Sequence, residues 1–166
     1  AMRSALEAGI GQKLTIDMAV VAWLVRHAGW LTTHFHVKVD GLTPFQCLRG
    51  RPYRGEVVEF GELVYCKEPQ PKHAQDKLDD KWLGPVVWIG KALKTDEHVV
   101  VRNSGNTTFT CRSIRRLSFK ERWSADKVKE IKVTPWETNI KGVTPTGPRF
   151  PRRYITWAEV LRLTQS

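Results

Sequence analysis

Apolar residues recur at helical spacing in the first part of the chain. Met2, Ala5 and Leu6 predict that residues 1–8 are the end of a helix, which the glycines Gly9 and Gly11 terminate. A second helix is predicted from Asp17 to Thr33. Its apolar stripe consists of Val21, Leu24, Val25, Ala28 and Leu31, with Trp23 and Trp30 beside it. Because little in the next fifty residues offers a partner for this face, we expect the helix to come from a larger, truncated parent domain.

A third, short helix is predicted by its capping residues. Thr43 can cap it, Pro44 occupies the first helical position, and Gln46 completes a capping box. Gly50 is typical of the left-handed turn that ends a helix. The basic residues Arg49, Arg51 and Arg54 lie at and just after its end.

From about Phe60 the pattern changes to short strands. The predicted strands are Glu62–Cys66, Pro85–Ile89, His98–Arg102 and Thr107–Arg112, the last of which can continue through Ile114. Asn103–Asn106 has the composition of a hairpin turn. Strands this short and this closely spaced predict a small barrel with its apolar side chains inside.

The pattern loosens after Trp123. Ser124–Lys132 predicts one polar helix, with Ala125, Val128 and Ile131 on a single face. Thr134–Pro151 is rich in proline and glycine and predicts a flexible linker, followed by a basic tail.

The chain carries a large excess of positive charge. The chain has 166 residues, a formal net charge of +10 and a pI near 9.8. A surplus of this size favours polyanionic partners. The longest apolar stretch, Met18–Val25, is shorter than the roughly 20 residues that a membrane-spanning helix needs. We therefore expect nucleic acid, and no membrane, as a partner.

The chain has three lone, widely spaced cysteines: Cys47, Cys66 and Cys111. This spacing favours neither a disulfide framework nor a thiolate zinc site. A reducing, intracellular compartment is the expected location.

The chain offers no recognisable catalytic site. None of its early acids lies in an apolar strand with the spacing of a two-metal site, and Glu59 and Glu62 are expected to be solvated. His34 and His36 share a face if extended, but no other ligand lies near them in the sequence. We therefore predict no catalytic residue, metal site or cofactor in this chain.

Basic residues interleaved with aromatic ones form the strongest pattern. Phosphates attract the charges, and bases can stack on the rings. Arg115 and Arg116 have few acids near them in the sequence, and Trp88 is expected in the core. The predicted nucleic-acid-binding residues are Lys77, Lys81, Lys91, Lys94, Arg112, Arg115, Arg116, Lys120 and Arg122.

The order of these segments resembles the end of a retrotransposon integrase, copia-like or gypsy-like. The segments that carry the resemblance are Ala22–Leu31, Asp40–Phe45, Gly50–Tyr53, Val58–Val64 and Lys77–Pro85. The resemblance implies an α+β fold in three parts. Residues 1–59 would be the C-terminal helices of an RNase H-like core. Residues 60–123 would form an SH3-like β-barrel, and residues 124–166 a polar helix, linker and flexible basic tail.

The resemblance also implies a parent enzyme, a DDE-type polynucleotidyl transferase that uses Mg²⁺ or Mn²⁺. Glu7 lies too close to the end of its helix to match the last glutamate of that triad. No catalytic residue is therefore carried over. The implied partners are DNA, as element ends and host target, and other integrase subunits. The implied location is the nucleus or a cytoplasmic retroelement particle.

An interaction module is the alternative. An SH3-like or chromo-like barrel can hold a peptide or a methylated lysine of a histone tail in an aromatic cage. Tyr65, Trp82 and Trp88 are the candidates for such a cage. Their convergence on one open pocket would favour this function, whereas a basic ridge would favour nucleic acid. A decayed copy of an element, without a selected function, is a third alternative.

Overall fold

A computed structural model of the chain describes residues 1–68, 81–102 and 105–137. The described helices are α1 (Met2–Ile10), α2 (Ala19–Phe35), α3 (Pro44–Arg49) and α4 (Ala125–Lys129), with a 3-10 turn at Phe119–Glu121. The strands are β1 (Leu63–Lys67), β2 (Trp82–Lys91), β3 (His98–Arg102), β4 (Thr107–Cys111) and β5 (Ile114–Arg116). The α+β class is therefore confirmed, and no described helix is both long and apolar enough to cross a membrane.

The five strands form one antiparallel sheet in the order β4-β3-β2-β1-β5. β3 and β4 pair through the predicted hairpin, in the register Arg102↔Thr107. β5 follows β4 in the chain but pairs with β1, so that Tyr65 lies opposite Arg115. The two edges of the sheet are thus strands that are consecutive in the chain.

Each face of the sheet carries a buried core, and the apolar side chains of the strands alternate between the two cores. The inner core contains the buried residues Val58, Val64, Cys66, Trp88, Val100 and Cys111, with Phe109 and Ile114 packed against them. It therefore receives side chains from all five strands. The outer core combines Leu63, Val87, Ile89, Val99 and Val101 with residues of the helices. This alternation follows from the period of two along a strand.

Two cysteines that are distant in the sequence meet in the inner core. The thiols of Cys66 on β1 and Cys111 on β4 lie close enough in the inner core to influence each other's titration. This contact with Cys66, together with burial, raises the pKa of the Cys111 thiol. β1 and β4 are not neighbours in the sheet, so the sheet curls to bring them together. All three cysteines are free thiols.

The helix α2 faces the sheet with a different stripe from the predicted one. Its buried residues are Val20, Trp23, His27 and Trp30, whereas Val25 is 65% exposed. The Trp23 indole N–H donates to the backbone oxygen of Val133 at 2.7 Å. The buried face is centred on the two tryptophans, about 100° from the centre of the predicted stripe. Val21 and Leu24 of that stripe still pack, partly buried, against the outer core, whereas Val25 faces solvent.

The partner of α2 lies within this chain. Val20 and Trp23 pack with Val87 and Ile89 of β2 in the outer core, which also contains Val128 near the end of the described chain. The expectation that α2 lacks a partner here is therefore wrong. The outer core crosses the predicted boundary at residues 59 and 60.

Local sequence signals placed several elements correctly. Both hydrogen bonds of the capping box at Thr43 are present, and Gly50 ends α3 with a φ of 68°. In α4 and just after it, Val128 and Ile131 are buried, as predicted for one apolar face. Lys77, part of the hairpin turn and the tail beyond residue 137 lie outside the described residues.

Candidate nucleic-acid interface

The consecutive residues Arg115 and Arg116 extend from β5 in opposite directions. Successive side chains of a strand point to opposite faces of the sheet. Arg115 pairs with Tyr65, and Arg116 pairs with the buried Val64. The two arginines therefore have different surroundings, although the sequence predicted one role for both.

Arg116 is held by a buried carboxylate. Glu62 is fully buried, and its two oxygens accept from Arg116 Nε and Nη2, both at 2.7 Å. Arg122 Nε lies 3.6 Å from Glu62 Oε1 and donates to the backbone oxygen of Leu117 at 3.0 Å. We call Glu62, Arg116 and Arg122 the Glu62 cluster.

The Glu62 cluster corrects the expectation that Glu62 is solvated. A buried carboxylate is tolerated when guanidinium groups satisfy its oxygens. The hydrogen bond to Glu62 also raises the pKa of Arg116. The cluster therefore joins β1, β5 and the segment after β5, and its arginines serve the fold first.

Arg115 lies on the outward face of the sheet. Its guanidinium carbon is 4.1 Å from the centre of the Trp82 ring, at the start of β2. Tyr65, opposite Arg115, is 38% exposed, and Lys67 pairs with Trp82 across β1 and β2. Lys81, just before Trp82, is exposed. We call these five residues the Trp82 surface.

Lys91 does not belong to any surface. It is only 3% exposed, because β2 continues two residues past the predicted end at Ile89 and carries Lys91 inward. Its Nζ donates to the backbone oxygen of Asp96 at 3.0 Å, and burial lowers its pKa. We therefore leave Lys91 out of the interface.

The remaining predicted residues are exposed but separate. Arg112 is 89% exposed, and its Nε donates to Glu97 at 3.2 Å. Lys120 is exposed in the 3-10 turn, and Lys94 is exposed after β2. Of the predicted residues, Arg115 lies over the ring of Trp82, and Lys81 precedes Trp82 in the chain.

The three aromatic residues considered for a cage do not converge. Trp88 is fully buried in the inner core, as predicted, and its indole N–H donates to His98 Nδ1 at 3.1 Å. Tyr65 and Trp82 lie on the outward face instead. The two faces of the sheet separate them from Trp88.

The histidine pair considered for metal binding has a different geometry from the expected one. α2 extends through Phe35, so His34 is helical and does not share an extended face with His36. The His34 ring stacks on Trp30 at 4.0 Å. Among the described residues, no group of three or more His, Cys, Asp or Glu could hold a metal ion.

Sequence reasoning missed the place of Tyr65 and Lys67 beside Trp82. The alternation of side chains along β1 could have indicated it. Val64 and Cys66 are apolar and face the core, so the residues that alternate with them must face outward. The pairing with Arg115 depends on β5 lying beside β1, which no local pattern indicates.

Comparison with known proteins gives no match: no family model, curated protein or solved structure is significantly similar to this chain. The arguments for function therefore rest on the site itself.

Proposed function

We propose that the chain is the nucleic-acid-binding C-terminal portion of a retrotransposon integrase. The observation that carries the proposal is Arg115 stacked on Trp82, beside Tyr65 and two lysines, on the outward face of a basic chain. In the parent protein the chain would hold DNA while the catalytic carboxylates and their Mg²⁺ or Mn²⁺ ions lie elsewhere.

The Trp82 surface combines the two kinds of contact that such a function needs. An arginine that stacks through the plane of its guanidinium keeps its N–H edge for phosphate oxygens. Lys67 and Lys81 add positive charge, which attracts phosphates regardless of base sequence. Tyr65 and Trp82 provide rings on which unpaired bases can stack.

The fold supports the SH3-like part of the proposal. The sheet is open, but β5 pairs with β1 and the inner core draws on every strand, and a core shared by all strands is also a property of a small barrel. In the proposed parent protein, residues 1–59 would belong to the RNase H-like core. Other integrase subunits would then be the protein partners.

A binding experiment with a matched tryptophan control tests the proposal. Fluorescence anisotropy of the full chain should give nearly equal affinities for two duplexes of unrelated sequence, and a steep loss of affinity with salt. Trp82→Ala should weaken binding of single-stranded oligothymidylate by about tenfold, because stacking on one base contributes about 1–3 kcal/mol.

Trp136→Ala is the control, because Trp136 is 75% exposed and lies outside the Trp82 surface. Equal losses for Trp82→Ala and Trp136→Ala would show that the Trp82 surface does not bind nucleic acid.

A further inference from the structure

A second aromatic site lies at the end of α2, away from the Trp82 surface. His34 is central to it: its ring centre is 4.0 Å from that of Trp30, 4.8 Å from that of Phe45 and 4.9 Å from that of Tyr53. These rings come from α2, α3 and the segment that follows α3. The packing of three separate segments around one histidine builds a shaped site.

The rings line an open cleft of about 360 Å³, next to the turn between β2 and β3. This volume is at the small end of the range for ligand sites, roughly 300–1,000 Å³. Trp30, His34, Phe45 and Tyr53 form its aromatic wall. Its rim is basic and exposed, and consists of Arg49, Arg51, Arg54 and Lys94. We call this site the aromatic cleft.

The carboxylate that lines the cleft already interacts with side chains of the protein. Among the described residues that line it, Asp96 is the only carboxylate. The Tyr53 hydroxyl donates to Asp96, at 2.8 and 3.0 Å from its two oxygens, and Lys91 Nζ lies 3.9 Å from the carboxylate. The rim arginines therefore give the cleft a net positive charge.

Aromatic walls with an arginine rim suit a ligand that is flat at one end and anionic at the other. A base can pack against the rings, and its phosphate can accept from the guanidinium groups in a fork-like geometry. A base within a duplex has both faces covered by its neighbours and cannot enter. We propose that the aromatic cleft binds one unpaired nucleotide of a nucleic acid strand.

The aromatic cleft and the Trp82 surface are separate sites. Trp82 begins β2, and Lys94 lies beyond its other end. A ten-residue strand spans about 30 Å at roughly 3.3 Å per residue. Because the two sites share no residue, failure of duplex binding at the Trp82 surface would leave this proposal standing.

The test uses thymidine monophosphate, a probe too small to bridge the two sites. It is titrated into the full ¹⁵N-labelled chain, and the amide and indole shifts are followed by NMR. We expect saturable shifts of Trp30, Phe45 and Tyr53, and weaker binding of either thymidine or inorganic phosphate alone. Arg51→Ala/Arg54→Ala should weaken binding by about tenfold, the effect of losing a charged hydrogen bond.

Lys129→Ala/Lys132→Ala is the matched control, because it removes the same charge from exposed positions outside the aromatic cleft. It should leave nucleotide affinity unchanged. The proposal is overturned if phosphate binds as well as the nucleotide, or if the shifts map to the Trp82 surface alone. Binding of an acidic peptide in the cleft, without binding of the nucleotide, would likewise overturn it in favour of a protein partner.

Discussion

The Glu62 cluster and the Trp82 surface lie on two sides of the same strands and use the same residue type differently. Arg116 donates two hydrogen bonds to a fully buried carboxylate, whereas the next residue back, Arg115, lies over an aromatic ring at the outward face. The basic segment of β5 is therefore not a binding site as a whole. Strand parity divides it into residues that serve folding and residues that face possible ligands.

The largest expected difference between buried and exposed groups is in how the free energy of unfolding falls as the pH is lowered. Burial lowers the pKa of His27 and of His98 from 6.5 to about 4. The unfolded chain therefore takes up these protons first, and stability falls as the pH drops from 6.5 towards 4. Each histidine should cost about 1.4 kcal/mol per pH unit within that window.

Urea unfolding at a series of pH values measures this loss. His27→Phe should remove one histidine's share of the slope, because its ring can occupy the same site among Trp30, Phe60 and Trp88. His36→Ala changes an exposed histidine and serves as the control. An unchanged slope in His27→Phe would show that folding does not lower the pKa of His27.

The next effect tests the Glu62 cluster directly. Glu62→Gln leaves Arg116 and Arg122 without their carboxylate, and breaking a buried pair costs about 3 kcal/mol. Glu59→Gln, at an exposed position three residues earlier, should change the free energy of unfolding by less than about 0.5 kcal/mol. Equal effects in chemical denaturation would mean that the cluster does not stabilise the fold.

A smaller change in stability tests whether α1 packs against Trp123, which is next in the chain to the Glu62 cluster. A methyl group at Gly9 of α1 would lie 2.6 Å from the ring of Trp123, which follows Arg122, whereas one at Gly29 of α2 meets nothing within 4 Å. Gly9→Ala should therefore cost about 1–2 kcal/mol. Gly29→Ala should stabilise the chain by about 0.5–1 kcal/mol. Stabilisation by both substitutions in thermal unfolding would show that α1 does not pack on Trp123.

Structural elements that depend only on residues close together in the chain were predicted from the sequence. The capping box at Thr43 and the strand His98–Arg102 need only local spacing, and both lie where they were predicted. The orientation of α2 depends on which face meets the sheet. That face is centred on Trp23 and Trp30, with Val21 and Leu24 of the predicted stripe at its margin. Helical periodicity alone does not rank a tryptophan above a valine.

The site depends on contacts that spacing does not show. Glu62 and Arg116 are separated by 54 positions, and their pairing needs β5 beside β1. The same strand order places Arg115 over Trp82. The aromatic cleft likewise needs α3 and Tyr53 to fold back onto the end of α2. The basic run Arg49, Arg51 and Arg54 was visible, but its aromatic wall was not.

The salt dependence of duplex binding by Arg115→Ala and Arg116→Ala distinguishes an arginine that contacts phosphate from one that stabilises the fold. Each phosphate contact contributes about 0.9 to the slope of log affinity against log salt. Arg115→Ala should lower that slope by about 0.9 and leave the free energy of unfolding unchanged. Arg116→Ala should destabilise the chain and leave the slope of the folded protein unchanged. An unchanged slope in Arg115→Ala, or an equal loss in both variants, would contradict the assignment of the Trp82 surface as the nucleic-acid interface.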